Sequence, residues 1–97
     1  MSLKHEREPL MDVISLDDAV IVIAEIPSVS KEHIRVTATE NNITLDTETP
    51  ERKYHKETEL PEAIEPNSAK STYRNGILEI TFKRRKKKES GVSIKVE

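Results

Sequence analysis

Ninety-seven residues, 34% of them hydrophobic and 3% aromatic, leave room for one domain with one modest aliphatic core. The lack of cysteine excludes a disulfide framework and any Cys-based metal site or nucleophile. No apolar run is long enough to suggest export or membrane insertion, so a cytoplasmic location is the expectation. The net charge of −2 hides an asymmetry: residues 83–97 carry seven basic groups against Glu89 and Glu97, a net of +5, which leaves −7 for the rest.

Along the chain, His5 to Glu8 is too charged to pack, and residues 1–9 are expected to form a short flexible segment. Leu10 to Leu16 is a short candidate strand ended by the turn-favouring Asp17-Asp18. Ala19 to Ile26 is β-branched and nearly continuous, which predicts a central strand buried on both faces and closed by Pro27. Ser30 before Lys31-Glu32 is placed to cap one helical turn. Ile34, Val36 and Ala38 then alternate with Arg35, Thr37 and Thr39, the pattern of a half-buried strand, and Ile43 to Thr47 alternates again after the turn at Glu40-Asn41-Asn42.

The strongest local signal lies at Ser71 to Ile80, where an alternating strand enters Asn75-Gly76 and leaves as a second strand. A two-residue type I′ turn needs positive φ at both central positions, which Asn-Gly supplies. Strand signals at short spacing, with no sustained helical periodicity, predict an all-β, antiparallel, immunoglobulin-like β-sandwich over residues 10–82. Ile21, Ile23, Val36, Leu45, Leu78 and Ile80 are its expected buried residues. Lys83 to Gly91 reads as a solvated linker within a basic C-terminal extension, residues 83–97.

Four stretches carry a family resemblance. Ser71 followed by Asn75-Gly76-Ile77-Leu78 resembles the small-residue-x-x-x-Asn-Gly-Val-Leu signature of the α-crystallin domain, the core of the small heat shock proteins (Hsp20 family). Ala19 to Ile34 is similar to the apolar strand and Leu-Pro-Gly-Val-x-x-Glu-x-Ile of that family. Tyr54-His55-Lys56 with Leu60-Pro61 is similar to its aromatic-x-Arg…Leu-Pro element, and Ile94-Lys95-Val96 resembles its Ile-x-Ile/Val tail motif. The order and rough spacing are those of the family across nearly the whole chain.

The departures are specific. Ser71 stands for Ala and Ser28 for Gly. Lys56 stands for Arg and loses the planar bidentate fork. Bacterial, archaeal and plant relatives carry a long loop whose extra strand crosses to a partner's sheet, whereas here only Glu48 to Lys53 separates Thr47 from Tyr54. Six residues are a hairpin loop by length, so no loop-exchanged dimer of that kind is expected, although the Lys53 to Glu59 strand could pair with its symmetry mate. The family's N-terminal arm is nearly missing. The chain thus resembles a short-looped, nearly arm-less, archaeal member, and its 35% charged content suits a thermophile.

Site chemistry is sparse. His5, His33 and His55 show no ligand spacing, and no nucleophile elbow, phosphate loop or paired-carboxylate motif occurs. No enzyme activity, cofactor or metal is therefore expected. The run Lys83 to Lys88 could contact nucleic-acid phosphates, yet it lacks aromatic stacking partners and the body is acidic. The resemblance implies a groove between Ile34–Thr39 and Ala69–Arg74, lined by Ile34, Val36 and Ala38. Alternation leaves open whether Ala69, Ser71 and Tyr73 or Lys70 and Thr72 face it, and Thr72 is placed in the lining. Ile94 and Val96 are the expected tail anchors for that groove, in the same chain or a neighbour; the alternative is a last strand folded on its own sheet. What the family implies is an ATP-independent holdase that binds non-native client proteins and self-associates through its tail or strand edges, with no nucleic acid and no membrane among its partners. The competing reading is an adaptor or co-chaperone of the related p23/CS type.

Overall fold

The fold was obtained as a computed structural model that describes residues 5–7, 9–50, 52–85 and 94–97. Eight strands, β1 (His5–Arg7), β2 (Leu10–Ser15), β3 (Ala19–Glu25), β4 (Ile34–Ala38), β5 (Asn42–Glu48), β6 (Arg52–Glu59), β7 (Ile64–Arg74) and β8 (Ile77–Arg84), form two four-stranded sheets. Their orders are β1-β6-β5-β4 and β2-β3-β8-β7. The expected all-β antiparallel sandwich is present, with one parallel pair added at β1–β6.

That added pair corrects the reading of His5 to Arg7 as unable to pack, while Glu8 lies outside the described residues. Edge pairing is made by backbone groups and needs no apolar side chain, so a charged tripeptide can take an edge that an apolar-pattern search passes over. The solvated-linker reading of Lys83 to Gly91 is corrected as well, because β8 runs through Arg84. Arg84 pairs with Glu62 at 2.9 Å, Arg85 pairs with Glu40, and the Arg85 N–H donates to the Ala63 carbonyl at 2.8 Å. Carboxylates distant in sequence thus hold the two arginines of the run, and the part from Lys86 to Gly91 lies outside the described residues.

The core is where the inner faces meet. β3 contributes Val20, Val22 and Ala24, β8 contributes Leu78, Ile80 and Phe82, and the opposite sheet supplies Ile43, Leu45 and Tyr54. Leu45, Leu78 and Ile80 are buried as expected. Ile21, Ile23 and Val36 are only partly buried. In β3 the even-numbered residues face the core, and Ile21 and Ile23 lie on the outer face of a sheet with one solvated side. A run apolar at every position gives no parity signal, so burial on both faces was the wrong inference there. Val36 is half-buried because it lines an open groove.

Several local features follow from single residues. Ser30 precedes a 3-10 turn, Lys31–His33, but caps it with its carbonyl, which accepts the His33 N–H at 2.9 Å, rather than with its hydroxyl. Ser28 adopts φ 64°, the left-handed conformation that Gly would take without strain. β5 and β6 form a hairpin with Glu48 opposite Lys53, so the short connection keeps β6 in its own sheet. In β7 a register shift between Glu65 and Lys70 is bridged by Ser68, whose hydroxyl donates to the Glu65 carbonyl and accepts the Lys83 N–H.

Thr47 is 3% exposed and sits between Ile34 and Tyr54, and its hydroxyl has no hydrogen-bond partner. Burying an unpartnered hydroxyl costs on the order of 1–3 kcal/mol. Thr47→Val is therefore expected to raise the unfolding free energy by about 1 kcal/mol, seen as a higher urea midpoint at unchanged slope.

Candidate functional site: a groove between two free strand edges

β4 and β7 are the edges of different sheets and stack on the same side of the sandwich, where no strand among the described residues closes the gap. Between them lies a groove of about 890 Å³. Ile34, Val36 and Ala38 form one wall, Ala69, Ser71 and Tyr73 the other, and Leu78, Ile80 and Phe82 reach its floor. Ala69 and Ser71 keep much of the β7 wall low, so the apolar floor stays accessible from the edge.

Register fixes which backbone groups are free. The Thr39 N–H donates to the Asn42 carbonyl at 2.9 Å, so the alternation of an antiparallel ladder directs Thr37 and Arg35 to β5 and turns Val36 and Ala38 to the open edge. On the other side the two-residue turn closes on Arg74 opposite Ile77, which directs Arg74 and Thr72 to β8 and turns Tyr73 and Ser71 outward. Two strand edges with free donors and acceptors thus face a common apolar slot. An extended peptide laid there can bond to either edge and drop alternate side chains into the slot.

The question left open by alternation is settled by pairing. Ser71 opposes Ile80 and Tyr73 opposes Leu78, both buried, so past the register shift the odd-numbered residues of β7 face inward. Thr72 opposes Glu79 on the outer face and reaches the groove at its rim. Lys31, Thr37, Pro66 and Asn67, which the sequence did not single out, complete the lining. Lys31 precedes β4 in the chain, and Pro66 and Asn67 flank the β7 bulge, a position that no sequence period marks.

The signature hairpin is architectural. Asn75 and Gly76 have φ 52° and 77°, as a type I′ turn requires. The Gly76 carbonyl accepts the Ile26 N–H at 2.7 Å, and a Cβ on Gly76 would lie 3.3 Å from Pro27 Cα. Tyr73 ties the groove to the same corner, its hydroxyl donating to the carbonyls of Ile26 and of Val29, the latter at 2.8 Å. Of the signature residues, Ser71 and Leu78 therefore belong to the groove, while Asn75, Gly76 and Ile77 build the turn beside it.

The tail stands apart. Ile94 and Val96 are 84% and 89% exposed and residues 94–97 belong to no strand, so they form no last strand of the sandwich. Of the histidines, His33 is exposed and His55 lies 2.5 Å from the Asp46 carboxylate, its cross-strand neighbour in the β5–β6 hairpin. The sequence reading missed that pair, which becomes visible once the short hairpin sets Asp46 opposite His55. Among the described residues no group of three or more His, Asp or Glu is placed to hold a metal ion, and no helix is long and apolar enough to cross a membrane.

Comparison with known proteins gives a consistent picture. The family model described as the GerT C-terminal domain matches residues 13–82. Heat shock protein 16.0 from Schizosaccharomyces pombe superposes with a TM-score of 0.75 at 21% identity, covering 95% of this chain and 77% of that one. HSP18.5 from E. histolytica gives 0.72 at 14% identity, with 93% and 99% covered. The rat alpha crystallin domain gives 0.60 at 21% identity, with 87% and 99% covered. No curated protein matches by sequence. The expected likeness to small heat shock proteins therefore holds at the level of the fold.

Removal of the Tyr73 hydroxyl leaves the Ile26 and Val29 carbonyls without this donor. Tyr73→Phe should lower stability by about 1–2 kcal/mol in urea unfolding, with the sheet signature in circular dichroism unchanged.

Proposed function

The chain belongs to the GerT C-terminal domain family, and from that premise and the α-crystallin-type sandwich it carries we propose that it is an ATP-independent holdase. The observation that carries the reading is the groove. It combines an apolar floor with two rows of unpaired backbone groups, and these suit the two things a non-native chain exposes: apolar side chains and unsatisfied main-chain donors and acceptors. Binding such a segment withdraws it from aggregation by mass action alone. The mechanism needs no catalytic residue, nucleotide or metal, and it implies a cytoplasmic pool of clients.

Ile94 and Val96 supply a competitor for the same slot. Their two-residue spacing directs both side chains to one side of an extended segment. Full burial of each is worth roughly 1.5–3 kcal/mol, and ordering the extension offsets much of that gain. Weak occupancy, in the same chain or a neighbour, keeps the groove covered yet available. The short β5–β6 hairpin favours a second reading, an adaptor of the p23/CS type, in which the sandwich binds a folded partner chaperone.

Light scattering of a reduced or heat-labile client tests the holdase. The wild-type protein should suppress aggregation near stoichiometric ratio, with or without ATP. Val36→Asp, which sets a charge on the groove wall, should lose most of that protection while keeping the wild-type circular dichroism. I94A/V96A should protect at least as well as wild type. If the wild-type protein shows no suppression at any ratio, the holdase reading is wrong and the adaptor reading takes its place.

A further inference from the structure

The two sheets have four edges, and two of them, β4 and β7, face the groove. β1 is only three residues long and is built of His5, Glu6 and Arg7. β4 carries Arg35 and opens onto the groove. β7 has a register shift, Pro66, and the cations Lys70 and Arg74. The fourth edge, β2, lies away from the groove and has none of these features. It runs six residues with no proline, no basic residue and one carboxylate, Asp12. Exposed large apolar residues lie along it and at its end: Leu10 is 73% exposed, Ile14 42% and Leu16 46%, with Ile21 and Ile23 half-buried beside them on the same outer face.

The backbone of this edge can be assigned. The Leu16 N–H donates to the Ala19 carbonyl at 2.8 Å, so Ile14, Asp12 and Leu10 bond inward to β3, and Met11, Val13 and Ser15 present their N–H and C=O groups outward. We propose that β2 is a self-association edge at which a second copy of this chain pairs antiparallel about a two-fold axis through Val13, joining two four-stranded sheets into one of eight.

Register selects that axis. Centring on Val13 sets Val13 opposite Val13 of the second copy and Met11 opposite Ser15, so all three outward-facing residues form bonded pairs. On the outer face it sets Leu10 against Leu16 and Asp12 against Ile14. The exposed leucines then cover one another and no like charges meet. Centring on Asp12 would oppose two carboxylates and unpair Ser15, and centring on Ile14 would leave Met11 unpaired. The contact uses neither the groove nor the tail, so it stands or falls independently of the holdase reading.

The test is the mass of the full-length I94A/V96A protein against concentration by light scattering, a background that keeps tail association out of the measurement. A monomer–dimer equilibrium is expected. Ser15→Pro removes a free edge N–H without touching the β2–β3 ladder and should weaken the dimer by at least about tenfold. Leu16→Glu, at a half-exposed position, should weaken it independently. Amide exchange supplies a register-specific readout: the Met11, Val13 and Ser15 amides should gain protection as concentration rises, while those of Asp12 and Ile14 are protected throughout. A protein that stays monomeric into the millimolar range, or a dimer that both substitutions leave intact, would overturn the proposal.

Discussion

The handedness of two residues, Asn75 at φ 52° and Gly76 at φ 77°, sets the parity of the β7–β8 hairpin, and that parity decides which side chains enter the sandwich. A two-residue turn closes on one pair, Arg74 with Ile77, and every pair as far as Lys70 with Thr81 follows from it. A slip by one residue would send Glu79 and Thr81 inward and turn Leu78, Ile80 and Phe82 to solvent. The same turn anchors its neighbours: the Gly76 carbonyl holds the end of β3 through Ile26, and Tyr73 reaches over to the Ile26 and Val29 carbonyls. Sheet register, the corner after β3 and the inner wall of the groove therefore share one determinant.

From that determinant follows a sandwich whose open side is left to side-chain size. Ala69 and Ser71 stand where larger residues would complete the inner face, so the floor residues Leu78, Ile80 and Phe82 meet a slot at the β4–β7 side. Good packing elsewhere makes the opening tolerable. Val20, Val22, Ala24, Ile43 and Leu45 are almost fully buried, and Phe82, at 1% exposure, anchors the floor from beneath. An apolar slot of this kind is stable as long as its rim limits nonspecific contact, and Lys31, Asn67 and Thr72 supply a polar rim.

The sequence made the architecture legible wherever apolar and polar residues alternate or a turn demands a particular residue. Asn75-Gly76 is such a place, and so are Ile34 to Ala38 and Ile43 to Thr47, whose strands lie within a residue or two of expectation. It was opaque where one code is silent. Ala19 to Ile26 is apolar at both parities, so the choice between Val20-Val22-Ala24 and Ile21-Ile23 needed the neighbours Ile80 and Met11. β1 is held by main-chain bonds, which composition does not report. Arg84 and Arg85 looked solvated because Glu62 and Glu40, which receive them, are far away in sequence. A groove lies between β4 and β7, and its β7 wall became definite only once the hairpin register was known.

The pairing of β1 with β6 bears on the order in which the molecule assembles. His5 meets Arg52, 47 residues later, through a ladder only three residues long. Closing a loop of that size costs conformational entropy that grows with the logarithm of its length, and so short a ladder returns little until its partner strand exists. β6 itself is secured first by its hairpin with β5, a contact of short range. His5–Arg7, synthesised early, therefore docks late, and it is the natural first piece to detach under strain. Its departure would bare the β6 backbone from Arg52 to Tyr54 while the rest of the sandwich stays closed.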